Sequence, residues 1–215
     1  IMYIYKTAVI GAGAMGAEIA QTITFAGIPV LLKDIDQARV DHGLETIRTI
    51  YKRRVDKGKM TSSETDQKLA LVTGATPYDA FKDVDIVIEA VYEDLEVKRR
   101  VFSDLEEVCP PGTILATNTS SIPISAIAAG RKRPDKVVGI HFFNPAHVMK
   151  LVEVIPGLST SPETVDDVLA FCESLRKIPV RVQDCPGFLV NRLLMPYLNE
   201  AALAHEEELF AAAHR

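Results

Sequence analysis

Val9-Ile10-Gly11-Ala12-Gly13-Ala14-Met15-Gly16 decides how the rest of the chain is read. A short apolar strand runs straight into G-x-G-x-x-G, and helical composition follows to Ala26. The glycines of such a turn have separate tasks. Gly11 makes the tight bend, Gly13 lets the backbone approach a pyrophosphate, and Gly16 lets the helix pack close to the strand. Ala14 and Met15 begin that helix, whose first N–H groups and partial positive charge face the phosphates. Alone, G-x-G-x-x-G is a weak signal. Here it follows a strand, opens a helix, and is succeeded by Asp34 at the end of a second strand. A carboxylate there accepts hydrogen bonds from the adenosine ribose hydroxyls and repels a 2′-phosphate, which predicts NAD over NADP. Lys33 is expected on the other side of the strand, and Asp36 reads as a helix N-cap.

Outward from the turn, apolar strands are predicted at 4–10, 29–34, 71–73, 85–90, 113–117, 137–141 and 151–155. A further strand at 178–182 contains Pro179 and belongs at an edge. Helical patterns occupy 14–26, 36–57 and 95–108, and Thr61-Ser62-Ser63-Glu64 is a capping-box start for a shorter helix. This alternation predicts an α/β fold, a Rossmann-type doubly wound sheet that is mostly parallel. Past Asp184-Cys185-Pro186-Gly187-Phe188 the pattern turns helical from 189 to about 213. The expected division is an NAD-binding domain over 1–186, then the first helix of a C-terminal helical domain over 187–215. A start at Ile1 and an alanine-rich helical end read as a piece of something longer.

Composition bounds the possibilities. The 215 residues are 47% hydrophobic and 25% charged, as in ordinary soluble domains. No apolar run reaches the roughly 20 residues of a membrane span, and a net charge of −5 speaks against nucleic acid as partner. Cys109, Cys172 and Cys185 are widely spaced with no C-x-x-C, so they read as reduced thiols packed as small hydrophobes. No metal site is expected.

A second constellation carries the chemistry. His141-Phe142-Phe143-Asn144-Pro145 puts an imidazole at the C-terminal end of a strand, where ligands bind in open α/β sheets. A short loop and a return strand bring Glu153 back toward it. A carboxylate on one ring nitrogen fixes the tautomer and supports the imidazolium, making the other nitrogen a better base. Alcohol oxidation needs such a base, because the hydroxyl proton leaves as the hydride does. His42, His205 and His214 lie in polar helical stretches and read as solvated, and His147, beyond a proline, is expected to face elsewhere. Arg131-Lys132-Arg133-Pro134 reads as a structural basic turn.

At these positions the chain resembles the L-3-hydroxyacyl-CoA dehydrogenases of fatty-acid β-oxidation over nearly its whole length. The matching stretches are 9–16, IVIEAVYEDLEVK at 86–98, Asn118-Thr119-Ser120-Ser121, 139–145, 149–155 and PGFLVNR at 186–192. Lys33-Asp34-Ile35 and the KGKMT segment look more like the large multifunctional β-oxidation proteins than the short stand-alone enzymes. The resemblance implies His141 as catalytic base, Glu153 as the carboxylate orienting it, Ser120 on the reacting oxygen and Asn191 near the substrate carbonyl. It also implies that Glu93 and Lys98 contact the nicotinamide-side ribose, that Asn144 lies near that end, and that Ala90, Asn118 and Ser120 belong to the cofactor site. By spacing alone Ser120 and Ser121 are a helix-cap pair, and Asn191 is an ordinary helix residue.

The function implied is NAD-dependent oxidation of an acyl-CoA substrate, L-3-hydroxyacyl-CoA, to 3-ketoacyl-CoA. Lys52-Arg53-Arg54, Lys57 and Lys59 could meet the coenzyme A phosphates, although a charge run on a helix is usually a wet face. The resemblance implies a homodimer or multifunctional complex formed through the helical domain. The compartment would be cytoplasmic in a bacterium, and mitochondrial or peroxisomal in a eukaryote. Two alternatives stay open: a β-hydroxyacid dehydrogenase, which shares the G-x-G-x-M-G start but relies on a catalytic lysine, and a non-catalytic NAD-binding protein on the same scaffold. The piece alone is expected to bind NAD and turn over poorly.

Overall fold

One sheet organises the chain, seen in a computed structural model that describes residues 2–207. Its strands are β1 (Thr7–Ile10), β2 (Val30–Lys33), β3 (Val72–Ala75), β4 (Ile86–Glu89), β5 (Ile114–Thr117), β6 (Val137–Phe142), β7 (Leu151–Pro156) and β8 (Ile178–Arg181). They lie in the order β3-β2-β1-β4-β5-β6-β7-β8. The first six pair in parallel, β7 returns antiparallel to β6, and β8 runs parallel to β7 at the edge, where Pro179 places it. The order reverses between β1 and β4, so their C-terminal ends open the crevice where doubly wound sheets bind ligands.

Helices cover both faces: α1 (Ala14–Ala26), α2 (Gln37–Asp56), α3 (Ser62–Leu69), α4 (Leu95–Val108), α5 (Ile124–Ala128), α6 (Pro162–Ser174) and α7 (Val190–Glu206). Because both faces are covered, β1, β2, β4 and β5 are buried along their whole length and read as continuous apolar runs. One core, around Val9, Ile19, Leu32 and Ile88, lies under α1 and α2. The other, around Ala8, Val87, Phe102 and Leu115, lies under α4 and α5. Asp36 caps α2 by accepting from Arg39 N, and Thr61 with Glu64 closes the capping box of α3, both as the sequence predicts.

Three features of the chain extend the sequence reading. β1 begins at Thr7 rather than residue 4, because the Tyr5 and Lys6 amides bond to Asp85 Oδ2 at 2.7 and 3.0 Å and not to a neighbouring strand. Helix α6 was not anticipated, although Ser161 as N-cap with Pro162 in the first turn is a legible start. Helix α7 buries none of its residues, and Leu193, Met195, Tyr197 and Leu198 stand exposed on it. Residues 208–215, with the last part of the predicted helix and His214, lie outside the described residues. No helix among the described residues is long and apolar enough to cross a membrane.

Candidate active site

The glycine turn is built as its residue types require. Gly11 has φ +97°, and a Cβ there would sit 2.4 Å from the Ala90 carbonyl oxygen. A Cβ on Gly16 would sit 1.7 Å from the Gly11 carbonyl oxygen, so α1 can approach β1 only without a side chain there. Gly13 differs: it is the N-cap of α1, and a Cβ on it would meet nothing within 4 Å. That empty space, against a helix start with no side-chain cap and no acidic residue in its first turn, fits a pyrophosphate. Ala14 and Met15 supply the first N–H groups.

Asp34 follows β2 directly and faces the same turn. Its Oδ2 accepts from Ala12 N and its Oδ1 from Ile35 N, each at 2.7 Å. Gly11, Gly13, Asp34 and Ala90 line one cavity of about 360 Å³, closed by apolar side chains such as Val91 and Val101. Lys33 lines it too, yet its side chain leaves β2 on the face opposite Asp34, as strand alternation predicts. Its long stem leaves the strand end and carries the ammonium over the Tyr78 ring, 4.2 Å from the centroid. Burial lowers the Lys33 ammonium pKa and pushes the Tyr78 hydroxyl up to about 12.

At the ends of β4 and β5 the charges are buried. Lys98 is 1% exposed and its ammonium lies 2.7 Å from Glu89 Oε1 and 3.2 Å from Glu93 Oε2. Glu93 Oε1 accepts from Ser120 N at 2.9 Å, and from Thr119 Oγ1 and Ser121 Oγ. Burial would raise the Glu93 pKa, but the Thr119 hydroxyl, Lys98 and Ser120 N outweigh it and hold the carboxyl below its ordinary range. Lys98 thus bridges the buried Glu89 and the partly exposed Glu93. Asn118 Oδ1 accepts from Phe142 N at 2.9 Å, joining the end of β5 to the strand that carries His141.

His141 and Glu153 are cross-strand partners in the antiparallel β6–β7 ladder. Nδ1 lies 2.7 Å from Glu153 Oε2, with the residues 5% and 1% exposed. Because Oε2 accepts, the bond assigns the proton to Nδ1 and leaves the Nε2 lone pair free to take one. Phe143 and Phe188 flank the ring at 4.6 and 5.7 Å between centroids. The other carboxylate oxygen is also engaged: Glu153 Oε1 accepts from Leu189 N at 3.0 Å and Val190 N at 2.9 Å. Glu153 therefore caps α7, whose first turn carries Asn191, while it holds the His141 ring.

The remaining sequence assignments divide. Asn144 is exposed on the loop after β6, joined to Pro145 by a cis peptide bond. His147 faces away from His141 and lies 3.5 Å from Glu18 Oε2 of α1. Lys52 pairs with Asp56, and Arg54 stacks over Phe25. Arg131, Lys132 and Arg133 bind the α4 side of the fold through Arg99 O, Glu107 and Pro110 O, which is the structural role expected of that turn. Glu89 was missed. Its signal was an acidic residue closing an otherwise apolar buried strand. Also missed was Asp184, whose carboxylate accepts from the Ile124 and Ser125 amides and caps α5. No group of three or more potential metal ligands occurs among the described residues.

Comparison with known proteins identifies the family of the fold. A family model described as 3-hydroxyacyl-CoA dehydrogenase, NAD binding domain, matches residues 6–185. The 3-hydroxybutyryl-CoA dehydrogenase of Clostridioides difficile is 47% identical over 196 residues, covering 91% of this chain and 70% of that protein. The fatty acid oxidation complex subunit alpha of Shewanella amazonensis is 46% identical over 92% of this chain but only 28% of its own length. A crystal structure of 3-hydroxybutyryl-CoA dehydrogenase from Escherichia coli K12 superposes with a TM-score of 0.94 at 46% identity, over 98% of this chain and 44% of that one. The chain spans less than half the length of the Shewanella amazonensis and Escherichia coli proteins.

Proposed function

The chain belongs to the 3-hydroxyacyl-CoA dehydrogenase family through its NAD-binding domain, and we propose that it serves the oxidation of L-3-hydroxyacyl-CoA to 3-ketoacyl-CoA with His141 as base. The observation that carries this reading is the buried His141–Glu153 pair, Nδ1 to Oε2 at 2.7 Å, at the cofactor end of the sheet. Bound in the glycine turn beside Asp34, NAD would supply the hydride acceptor for C3. His141 Nε2 takes the proton of the 3-hydroxyl, and Glu153 stabilises the imidazolium that forms. Ser120 and Asn191 hold the reacting oxygen and the neighbouring carbonyl. Gly11, Gly13, Ala14, Met15 and Gly16 cradle the pyrophosphate, and Asp34 takes the adenosine ribose. Ala90, Asn118, Glu93 and Asn144 line the path toward the nicotinamide.

In this reading residues 1–186 are the NAD-binding domain and 187–215 open a helical domain that completes the acyl side and mediates assembly. The uncovered apolar side chains of α7 support it. A catalytic lysine, as a β-hydroxyacid dehydrogenase would use, finds little support at Lys98, whose ammonium is sealed between two carboxylates. The test is an NADH-linked assay on the chain joined to the helical domain it is expected to need, comparing 3-hydroxybutyryl-CoA with free 3-hydroxybutyrate. Turnover of the thioester alone is expected. Preference for the free acid would overturn the substrate class.

A further inference from the structure

Glu89 closes a strand whose other residues are Ile86, Val87 and Ile88, and it is fully buried. A carboxylate there must be compensated, because burying an unpaired charge is costly. It accepts from three donors at 2.7 Å each: Val91 N, Lys98 Nζ and Thr117 Oγ1. Val91 opens the turn beside the adenosine cavity, and Thr117 ends β5 just before the turn that bears Ser120. Lys98 passes the arrangement on, reaching Glu93 Oε2 at 3.2 Å. The other oxygen of Glu93 gathers Thr119 Oγ1, Ser120 N, Ser121 N and Ser121 Oγ.

We infer that Glu89 is a positioning residue for the nicotinamide half of the cofactor site, acting through Lys98 on the Glu93 carboxylate and the 119–121 turn. Of the three charged groups, Glu89 and Lys98 are almost sealed from solvent, whereas the Glu93 side chain is 39% exposed. Glu93 is therefore the member that can meet a ligand, and the buried pair fixes where it points. Stability alone does not explain the pair, since replacing a buried ion pair by apolar or neutral groups of similar volume is often neutral or stabilising. What such a replacement removes is the directional ammonium on Glu93. The inference rests on the NAD assignment and not on His141 as base.

The two roles separate in the double variant Glu89→Gln/Lys98→Met, assayed by thermal melting and by titration with NADH and with ADP. ADP probes the adenosine half alone. NADH affinity is expected to fall about tenfold, the worth of one hydrogen bond to a charged group. ADP affinity and Tm should stay near those of the unaltered chain. Should the double variant not fold, Thr117→Val removes one Glu89 contact with little change of shape. It should weaken NADH about threefold and spare ADP. NADH and ADP weakening by the same factor, or neither weakening, would overturn the inference. Failure of the unaltered chain to bind NADH would instead overturn the NAD assignment.

Discussion

Replacing Glu153 with Gln separates the two tasks of one carboxylate. The native Oε2 accepts from His141 Nδ1 at 2.7 Å, and Oε1 accepts from Leu189 N and Val190 N at 3.0 and 2.9 Å. A glutamine has one acceptor oxygen, and two backbone N–H groups compete for it. Its oxygen is expected to stay on them, which turns the amide NH₂ toward Nδ1. That nitrogen must then accept, the proton moves to Nε2, and the face toward substrate loses its lone pair. Turnover should fall about 10²–10⁴-fold, the range for losing a general base, or about 3–5 kcal/mol of barrier. The start of α7 should persist. Glu153→Ala loses both tasks and also strands two amides, at about 1–3 kcal/mol for each buried donor left unsatisfied. The assay pairs kcat on 3-hydroxybutyryl-CoA with hydrogen exchange at the Leu189 and Val190 amides. Protected amides with lost turnover in the Gln variant, and loss of both in the Ala variant, are the expected pattern. Turnover in Glu153→Gln within about threefold of the unaltered chain would refute a tautomer-fixing role.

Gly13→Ala and Gly16→Ala should fail in opposite ways. The first has open space for its Cβ and is expected to fold normally while losing NADH affinity, because the methyl takes the phosphate position. The second would place its Cβ 1.7 Å from a carbonyl oxygen, costing at least the ~1–3 kcal/mol of an overpacked core, read as a lowered Tm. Asp34→Asn removes the charge that repels a 2′-phosphate and should narrow the preference for NADH over NADPH about tenfold, measured as the ratio of Kd values. The Glu93 carboxyl sits below its ordinary 4.5 in the folded chain. Its stabilisation is therefore present above that pH and lost as pH falls through the lower folded value. The Tm gap between the unaltered chain and Glu93→Gln should accordingly be largest near pH 7 and close as acid protonates the carboxyl, below its ordinary range.

Much of this was legible because local rules act alone in the places that matter. The glycine turn declares itself since Gly11 and Gly16 answer to backbone clashes that admit no side chain. The return of Glu153 to His141 could be anticipated from two strands and a short loop, although their direct cross-strand register could not. Contacts between distant segments were hidden. The capping of α7 by Glu153 depends on a turn with Gly187 at φ +73° and Phe188 at φ +48°, a conformation that Phe gives no reason to expect. Glu89 looked like one more strand residue, because its partners Lys98 and Thr117 come from α4 and β5. Ser120 and Asn191 carried no signal of their own, and their roles rest on family resemblance.

The most direct test of the assignment is His141→Gln in the chain joined to its helical domain, with NADH binding and 3-hydroxybutyryl-CoA oxidation measured on the same preparation. The ring does not line the cavity beside Gly11, Gly13 and Asp34, so the NADH Kd should stay within about twofold, while turnover falls about a hundredfold or more with the base gone. Turnover close to that of the unaltered chain, with NADH binding intact, would contradict His141 as the base.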